Sequence, residues 1–362
     1  MTARHITICF HDFARGGTER VALTLARHWL DAGREVSILC GSKGGGVLDQ
    51  VDPRVRVVEL DPPVPRSLTS RLRLGRAMAG PLAGLAPDVV FIPGNFHFVL
   101  PPAFKRTLPG LPIVAKVSNP LLPRLAPGIA ALARAALRAY VAPIDALVFM
   151  ADELAAEGRG ALPGRRIEVI AEPNLPAGWK PLPRTAPQDP PRIITIGRME
   201  PQKNLALALR AFAELRKIRP ARLLVLGEGS ERARLEALAR DLGIAGDVEM
   251  PGYSPRAGEE LARASALLLT SRYEGYPAVV VEALAADVPV VATDCTPVLA
   301  GLLPDARHGR IVAEPEPKVL AAALAQVLDG PFASGGARPA RVAHHDASAS
   351  AAAYLALFDS LV

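Results

Sequence analysis

Short apolar runs alternate with helix-period segments along almost the whole chain, and this alternation limits the possible folds more than any other feature. His5 to Phe10 reads as a strand, Thr18 to Ala32 as an amphipathic helix with Val21, Leu25 and Trp29 in register, and Glu35 to Cys40 as a second strand. The series continues through Val55 to Leu60, Asp88 to Pro93, Pro112 to Val117, Ala146 to Phe149 and Ile167 to Ile170. Such alternation predicts an α/β architecture built on a doubly wound parallel sheet. Pro173, Pro176, Pro181, Pro183, Pro187, Pro190 and Pro191 then form a stiff stretch that cannot be helical, and a domain boundary is expected there. A second alternating series begins at Arg192, with strands near Ile193, Leu223, Val248, Ala266 and Val288. The Gly-, Pro-, Ala- and Ser-rich tract from Pro331 to His345 reads as a loop, and Ser348 to Leu361 as a last helix. The expected division is residues 1–178, residues 190–345 and a terminal helix over 346–362.

With 362 residues, half of them hydrophobic and 22% charged, the chain has enough apolar material for two ordinary cores. Three cysteines, Cys9, Cys40 and Cys295, are far apart and in no metal-ligand spacing, which points to reduced thiols in a cytosolic protein. The apolar run Ile6 to Phe10 is too short for a signal-peptide core. The longest uncharged stretch, Val89 to Phe104, is broken by Pro93, Pro101 and Pro102 and falls short of a bilayer span. The net charge of +6 is concentrated in the first half: from Pro62 to Ile144 the only acid is Asp88, against ten bases that include Arg66, Arg71, Arg73, Arg76, Lys105, Arg106, Arg124, Arg134 and Arg138. No nucleic-acid-binding module is recognisable and aromatic residues are only 5%, so nucleic acid is not the expected partner. Anionic lipid headgroups or a phosphate-bearing substrate fit the charge better. Ile129, Leu132, Ala136, Leu137, Tyr140 and Val141 also share one helical face, with Arg134 and Arg138 on another. That pattern describes either an ordinary packed surface helix or a helix lying on an anionic membrane.

The chemistry concentrates in the second half. Glu274 and Glu282 stand either side of seven residues in a segment that runs from the apolar strand at Ala266 to Thr270 into a helix, with Pro277 expected in its first turn. Glu282 lies among Ala278, Val279, Val280, Val281, Ala283 and Leu284, a carboxylate on an otherwise apolar helix. Burying it needs compensation, and a polar ligand at the carboxyl end of a parallel strand would supply that. Upstream, another strand, glycine turn and helix carry Arg198 and Lys203, two cations beside a helix N-terminus, which is an arrangement suited to a diphosphate.

These motifs resemble the retaining, nucleotide-sugar-dependent family-4 glycosyltransferases of the GT-B fold. The matching residues are Gly197-Arg198 with Gln202-Lys203-Asn204, Gly227 to Gly229, Gly252-Tyr253, Glu274-Gly275-Tyr276-Pro277 through Glu282-Ala-Leu, and Pro289 to Asp294. The likeness is ordered from about Arg192 to Asp329 and weaker in the first half, where it rests on Gly16-Gly17-Thr18-Glu19-Arg20-Val21 and Asn174. It implies two Rossmann-like domains facing a cleft, an acceptor-binding first half, a donor-binding second half and a C-terminal helix that crosses back to the first domain.

It also implies roles. Arg198 and Lys203 would meet the charge developing on the leaving diphosphate, helped by helix N-termini at Pro277 and at Gly16-Gly17, which places the diphosphate between the domains. Glu282 would accept hydrogen bonds from ribose hydroxyls, Glu274 would contact donor-sugar hydroxyls near the reacting carbon, and Tyr253 with Gly227 and Gly229 would adjoin the base. Gly227 and Gly229 equally suit a simple strand-to-helix turn. The expected co-substrate is a nucleoside-diphosphate sugar, first of all a UDP-sugar, with no other cofactor; the chain lacks any Asp-x-Asp triplet, so metal-independent transfer is expected. The acceptor would be a glycan or lipid-linked, and the location cytoplasmic or peripheral on the inner membrane face. Relatives carry a histidine after the fifth strand, where this chain has Lys116-Val-Ser-Asn119-Pro120; Asn119 either takes that role or caps a turn, and His97 is either a substrate contact or a core histidine. Asp287 and Cys295-Thr296 replace family glycines. A nucleotide-sugar epimerase, a paired-carboxylate glycosidase and a non-catalytic nucleotide-sugar binder are the competing readings.

Overall fold

The computed structural model describes residues 1–362 other than 15, 68, 122–126, 182–187, 255 and 332, and leaves aside the side chains of 72 and 127–130. Arg124, Pro183, Pro187 and the Ile129 side chain therefore lie outside the described residues. The chain divides into one unit of Met1–Ala177 with His345–Val362 and a second of Gly178–His344.

The first unit runs β1 (His5–Phe10), α1 (Gly17–Asp31), β2 (Glu35–Cys40), β3 (Arg56–Glu59), α2 (Ser70–Leu85), β4 (Val89–Ile92), α3 (Pro101–Thr107), β5 (Ile113–Lys116), α4 (Pro127–Val141), β6 (Ala146–Phe149), α5 (Asp152–Ala161) and β7 (Ile167–Val169). Its seven strands lie in the order β3-β2-β1-β4-β5-β6-β7, all parallel. Every residue of β4, β5 and β6 is buried, as expected of strands covered on both faces. The second unit runs β8 (Arg192–Ile196), α6 (Leu205–Ile218), β9 (Arg222–Leu226), α7 (Arg232–Asp241), β10 (Val248–Gly252), α8 (Ala257–Arg263), β11 (Ala266–Leu269), α9 (Ala278–Ala285), β12 (Val290–Thr293), α10 (Val298–Leu302), β13 (Gly309–Val312), α11 (Pro317–Asp329) and α12 (Ala337–Val342). Its six parallel strands lie in the order β10-β9-β8-β11-β12-β13. In both sheets the direction of winding reverses once, at β1/β4 and at β8/β11. Open parallel sheets bind ligands at that reversal, beyond the carboxyl ends of the strands.

The last helix, α13 (Ala347–Asp359), belongs to the first unit and packs on α1. Trp29 explains why. Its ring meets Phe91 at 5.4 Å and Phe358 at 5.1 Å, both edge-to-face, and its indole N–H donates to the Ala351 carbonyl at 3.2 Å. Fully burying one such aromatic stabilises the unit by roughly 1.5–3 kcal/mol. Arg34 adds a two-pronged ion pair to Asp359, at 2.7 and 3.1 Å.

Three expectations need correction. The tract from Pro331 to His345 is not a loop throughout, because it contains α12. Pro277 is not in the first turn of α9 but is the residue preceding it. The strand expected near Val288 begins at Val290, since Pro289 has no N–H for the ladder. The pattern also missed β13, a four-residue edge strand with one exposed arginine.

Asp287 accounts for α12. It adopts φ +58°, a left-handed conformation that glycine accepts freely and other residues at a cost. Here the side chain gives something back. The carboxylate accepts the Ser334 backbone N–H at 3.0 Å and also the Ser334 hydroxyl, while Arg338, 2% exposed, donates to the Asp287 carbonyl at 2.7 Å and to its carboxylate at 3.3 Å. Arg338 also donates to the Arg307 carbonyl at 2.5 Å. An aspartate in a glycine position thus pins α12 against α9. Breaking a buried ion pair by removing one partner costs about 3–5 kcal/mol. Asp287→Ala is expected to destabilise the protein by about that amount, and Asp287→Gly by about 1 kcal/mol less because it relieves the backbone. Chemical denaturation of the two variants measures the difference, and equal losses would rule out the backbone component.

Candidate functional site

In the second unit the charged residues gather at the β8/β11 reversal. The turn after β8 is shaped by glycine. A Cβ on Gly227, at φ +142°, would lie 1.9 Å from the Gly197 carbonyl oxygen, and one on Gly229 would lie 2.4 Å from that of Met199. Neither position accepts a side chain, so the β9 loop can press directly on the β8 loop. Backbone bonds follow: Gly197 N–H to Leu226 O at 2.9 Å, Met199 N–H to Glu228 O at 2.8 Å and Gly227 N–H to Gly252 O at 2.9 Å. The geometry of Gly227 and Gly229 is that of turn residues in close backbone contact. Tyr253, which follows Gly252, is 59% exposed.

Lys203 and Glu274 were read as a cation for phosphate and an acid for sugar; the structure bonds them to each other. The Lys203 ammonium donates to Glu274 Oε1 at 2.6 Å, and the Ser271 hydroxyl donates to the same oxygen at 2.5 Å. Glu274 is only 7% exposed, which makes the contact a largely desolvated one. The loops that carry the pair are laced together by Arg272 N–H to Gln202 O at 2.8 Å, the Gln202 side-chain amide to Tyr273 O at 3.0 Å, and the Thr270 hydroxyl to Asn204 O at 3.1 Å. On the other side Glu274 N–H donates to Cys295 O at 3.0 Å and the Thr293 hydroxyl to Ser271 O at 2.7 Å. Gly275 is buried behind this loop, and its carbonyl accepts from the Thr296 hydroxyl at 3.4 Å.

Arg198 differs from Lys203. It is exposed, and among the described residues no carboxylate forms an ion pair with it. Its charge nevertheless acts on Glu200, whose carboxyl is held below its ordinary value by hydrogen bonds from Ser230 and by Arg198 nearby. Glu282 is half-buried rather than buried: on α9 it shares the partly open stripe with Ala278 and Val279, while Val280, Val281, Ala283 and Leu284 face the core. Tyr276 is half-buried at the start of the same helix, next to the buried Pro277.

In the first unit the β1/β4 reversal holds a second cluster, which joins His97 to the Gly16-Gly17 turn, Glu19 and Arg66. His97 sits in the turn after β4, is 1% exposed, and its Nε2 accepts the His11 backbone N–H at 3.0 Å. That contact puts the proton of the neutral ring on Nδ1. Burial, with the charges of Arg66, His11 and Arg71, pushes its pKa down to about 3. Asp12 accepts from Arg66 Nε at 2.6 Å, and Arg66 also reaches Glu19 at 3.3 Å. Glu19 is buried in the first turn of α1, and burial raises its pKa. Its carboxylate crowds Gly16, where a Cβ would lie 2.4 Å from Glu19 Oε2, whereas Gly17 opens onto free space. The N-terminus of α1 therefore already carries a carboxylate. Asn119 is exposed; Asn95 accepts the Ser118 N–H at 2.7 Å and donates to Asn119 O at 2.8 Å, which joins the turns after β4 and β5. Lys116, which stands near the position of the relatives' histidine, is buried against Glu172 at 2.7 Å.

Among the described residues no group of three or more His, Cys, Asp or Glu side chains is arranged to hold a metal ion. Two family models match the chain: Glycosyl transferases group 1 over residues 183–342 and Glycosyl transferase 4-like domain over residues 16–174. The chain belongs to the group 1, family-4-like glycosyltransferases and has their GT-B fold. It is 32% identical over 51% of its length to an exopolysaccharide phosphotransferase of Streptomyces coelicolor, covering 20% of that protein. It is 33% identical over 28% of its length to a Campylobacter jejuni protein named as an N-acetylgalactosamine-N,N'-diacetylbacillosaminyl-diphospho-undecaprenol 4-alpha-N-acetylgalactosaminyltransferase, covering 27% of it. The chain thus spans only about a fifth to a quarter of the length of these curated relatives. S. aureus TarM, solved with alpha-GlcNAc-glycerol and UDP among its ligands, has the same fold with a TM-score of 0.81 at 13% identity, over 99% of this chain and 100% of that one.

The site's burial makes one chemical prediction. Burial raises the thiol pKa of Cys295 to about 12, with a further push from the Glu274 charge, and that of Cys40 to about 12, with a push from Glu59; Cys9 is pushed up in the same way. Only thiolates attack disulfide reagents at useful rates. At pH 8 an aromatic disulfide reagent is expected to find no thiol in the native protein and all three after denaturation. Prompt reaction of one thiol in the native state would contradict this.

Proposed function

We propose that the protein is a retaining glycosyltransferase that moves a hexose-type sugar from a nucleoside-diphosphate sugar to a glycan or lipid-linked acceptor in cell-envelope polysaccharide or glycolipid synthesis. The observation that carries this reading is the desolvated Lys203–Glu274 contact beside the uncommitted Arg198, at the winding reversal of the second sheet. A diphosphate arriving there finds a guanidinium with no carboxylate to give up and an ammonium already fixed in place. Such preset charges need little reorganisation as negative charge grows on the leaving oxygen. With Lys203 and Ser271 both held on Oε1, the other carboxylate oxygen of Glu274 accepts a hydrogen bond from a donor-sugar hydroxyl. The bond from the anomeric carbon to the diphosphate oxygen breaks as the bond to the acceptor oxygen forms on the same face, and the acceptor's proton passes to the departing phosphate. All atoms are accounted for without a covalent enzyme intermediate. Glu282, on the open stripe of α9, is assigned the ribose, and Tyr253 with Gly252 the base. A uridine nucleotide is preferred because the TarM structure contains UDP. A lipid-linked acceptor is preferred because the Campylobacter relative's name specifies a diphospho-undecaprenol compound. The transfer is proposed to need no divalent metal, Arg198 and Lys203 supplying the charge.

Nucleotide release from a panel of nucleotide sugars, in EDTA, tests this. Turnover is expected to persist in EDTA. Arg198→Ala should lower it roughly a hundredfold or more, and Glu274→Ala should abolish it while nucleotide binding remains. Binding without release in the parent protein would favour a non-catalytic nucleotide-sugar binder, and dependence on added metal would remove the metal-free mechanism.

We further propose peripheral contact with the anionic inner face of a membrane, through α4. Among its described side chains, Ala131 to Val141, only Leu137 and Val141 are buried; Leu132 is 74% exposed, and Arg134 and Arg138 are exposed beside it. An apolar helix left open and flanked by cations suits an anionic bilayer surface. No described helix is long and apolar enough to cross a membrane. The protein is expected to float with vesicles containing phosphatidylglycerol, to bind them less at high salt, and to lose binding on Leu132→Asp. Recovery that ignores lipid charge would sink the idea.

A further inference from the structure

The β1/β4 cluster of the first unit holds two arginines on one aromatic ring. Arg66 and Arg71 both lie over the ring of Phe96, with their guanidinium carbons 4.9 and 3.8 Å from its centroid. Their surroundings differ. Arg66 is neutralised by Asp12 at 2.6 Å and Glu19 at 3.3 Å, whereas among the described residues no carboxylate forms an ion pair with Arg71. Stacking holds a guanidinium by its face and leaves the in-plane N–H groups of its fork free to donate. Arg71 is exposed, so those donors are open to a ligand.

A second observation points the same way. His97 and His11, both fully or almost fully buried in this cluster, each have an Nδ1 without a hydrogen-bond partner. For His97 that atom carries the proton, because Nε2 accepts from the His11 backbone. A buried donor without an acceptor is unfavourable and rare. The cluster also stands where an open parallel sheet binds its ligand, and from Pro62 to Ile144 the chain contains one acid, Asp88. Asp88 is not at this site: its carboxylate accepts the Arg4 and His5 N–H groups at 2.7 and 2.9 Å, at the amino end of β1. Asp12 and Glu19, the carboxylates of the cluster, pair with Arg66, and among the described residues none forms an ion pair with Arg71.

We propose that the substrate held by the first unit carries a phosphoryl ester, taken by the Arg71 fork on the Phe96 face, with Arg66 kept in position by Asp12 and Glu19 so that the stack stays open. This rests on the reading of the first unit as acceptor-binding and adds the acceptor's chemical class. The guanidinium fork matches phosphate geometry through two parallel hydrogen bonds, which an ammonium cannot copy. Arg71 is thus a specificity residue: it discriminates between charged and neutral forms of one acceptor.

Equilibrium titrations of the full chain test this, with UDP present at saturation so that phosphate probes do not report on the Arg198 site. Glucose 1-phosphate is compared with glucose, and dihexanoylphosphatidylglycerol below its micelle concentration supplies the lipid arm. Each phosphate ester is expected to bind at least about tenfold more tightly than glucose. Arg71→Ala should remove that advantage and Arg71→Lys most of it, while Arg106→Ala, at an exposed cation in the last turn of α3, should change it less than about twofold. Arg71 is exposed, so its variants are expected to fold, and unchanged far-ultraviolet dichroism checks that they do. Equal affinities for glucose 1-phosphate and glucose, or an advantage that survives in Arg71→Ala, would overturn the proposal. Soluble and lipid esters binding equally well would identify the phosphoryl group alone as the recognised element; tighter lipid binding, still dependent on Arg71, would identify a lipid-linked source. A separate titration with UDP alone tests the donor reading: a chain that ignores UDP but discriminates phosphate through Arg71 loses that reading and keeps this one.

Discussion

A lysine and a glutamate that are 71 residues apart meet at 2.6 Å, and the second unit's site depends on that contact. Removing two charges from water is costly, so the pair persists only because its geometry is good and neighbouring hydroxyls and amides fill the remaining hydrogen-bonding positions. Ser271 donates to the carboxylate, and Thr270 ties the lysine's own backbone and the residue after it to the strand beneath. The contact is therefore a property of two loops held at fixed separation by β8 and β11, which are adjacent in the sheet. Parallel order puts both loops at the same edge; an antiparallel neighbour would have sent one of them to the opposite end. Arg198, on the same turn, remains outside the pair and supplies the charge that the site has to spare.

The first unit applies the same economy to arginines. Arg66 is enclosed by two carboxylates, while with Arg71, stacked on the same ring, no carboxylate among the described residues forms an ion pair. Its core is closed by a segment from the far end of the chain, where Trp29, Phe91 and Phe358 interlock and Arg34 grips Asp359. The aromatic contacts bury area without needing a partner for every atom, and the single indole N–H finds the Ala351 carbonyl. Asp287 shows how a local rule can be broken and offset. The left-handed backbone that favours glycine is occupied by aspartate, and the side chain organises Ser334 and Arg338 in return.

Much of the fold was legible because period and burial agree. Strands such as Ala146–Phe149 and Ala266–Leu269 are apolar at every position, and Val21, Leu25 and Trp29 repeat at helical spacing. The misses share a cause. β13 is short and partly open, so little hydrophobic signal marks it, and α12 exists because Arg338 reaches Asp287, a partner 51 residues away that composition cannot reveal. Of the candidate site residues, Lys203 and Glu274 could be named from their turns, but their mutual bond could not. Asp12 and Phe96 carry no comparable signal, being polar and aromatic residues just after strands.

By itself the sequence determined two parallel α/β units, the family to which the chain belongs, and the strand ends that carry its charged residues, since all of these follow from local periodicity and short motifs. Tertiary structure alone decided which charges are paired: Lys203 is taken up by Glu274 and Arg66 by Asp12 and Glu19, whereas among the described residues no carboxylate forms an ion pair with Arg198 or Arg71, and His97 is buried as a neutral ring. The reason is that a charge's energy is set by the groups within a few ångströms of it, and here those groups arrive from distant parts of the chain.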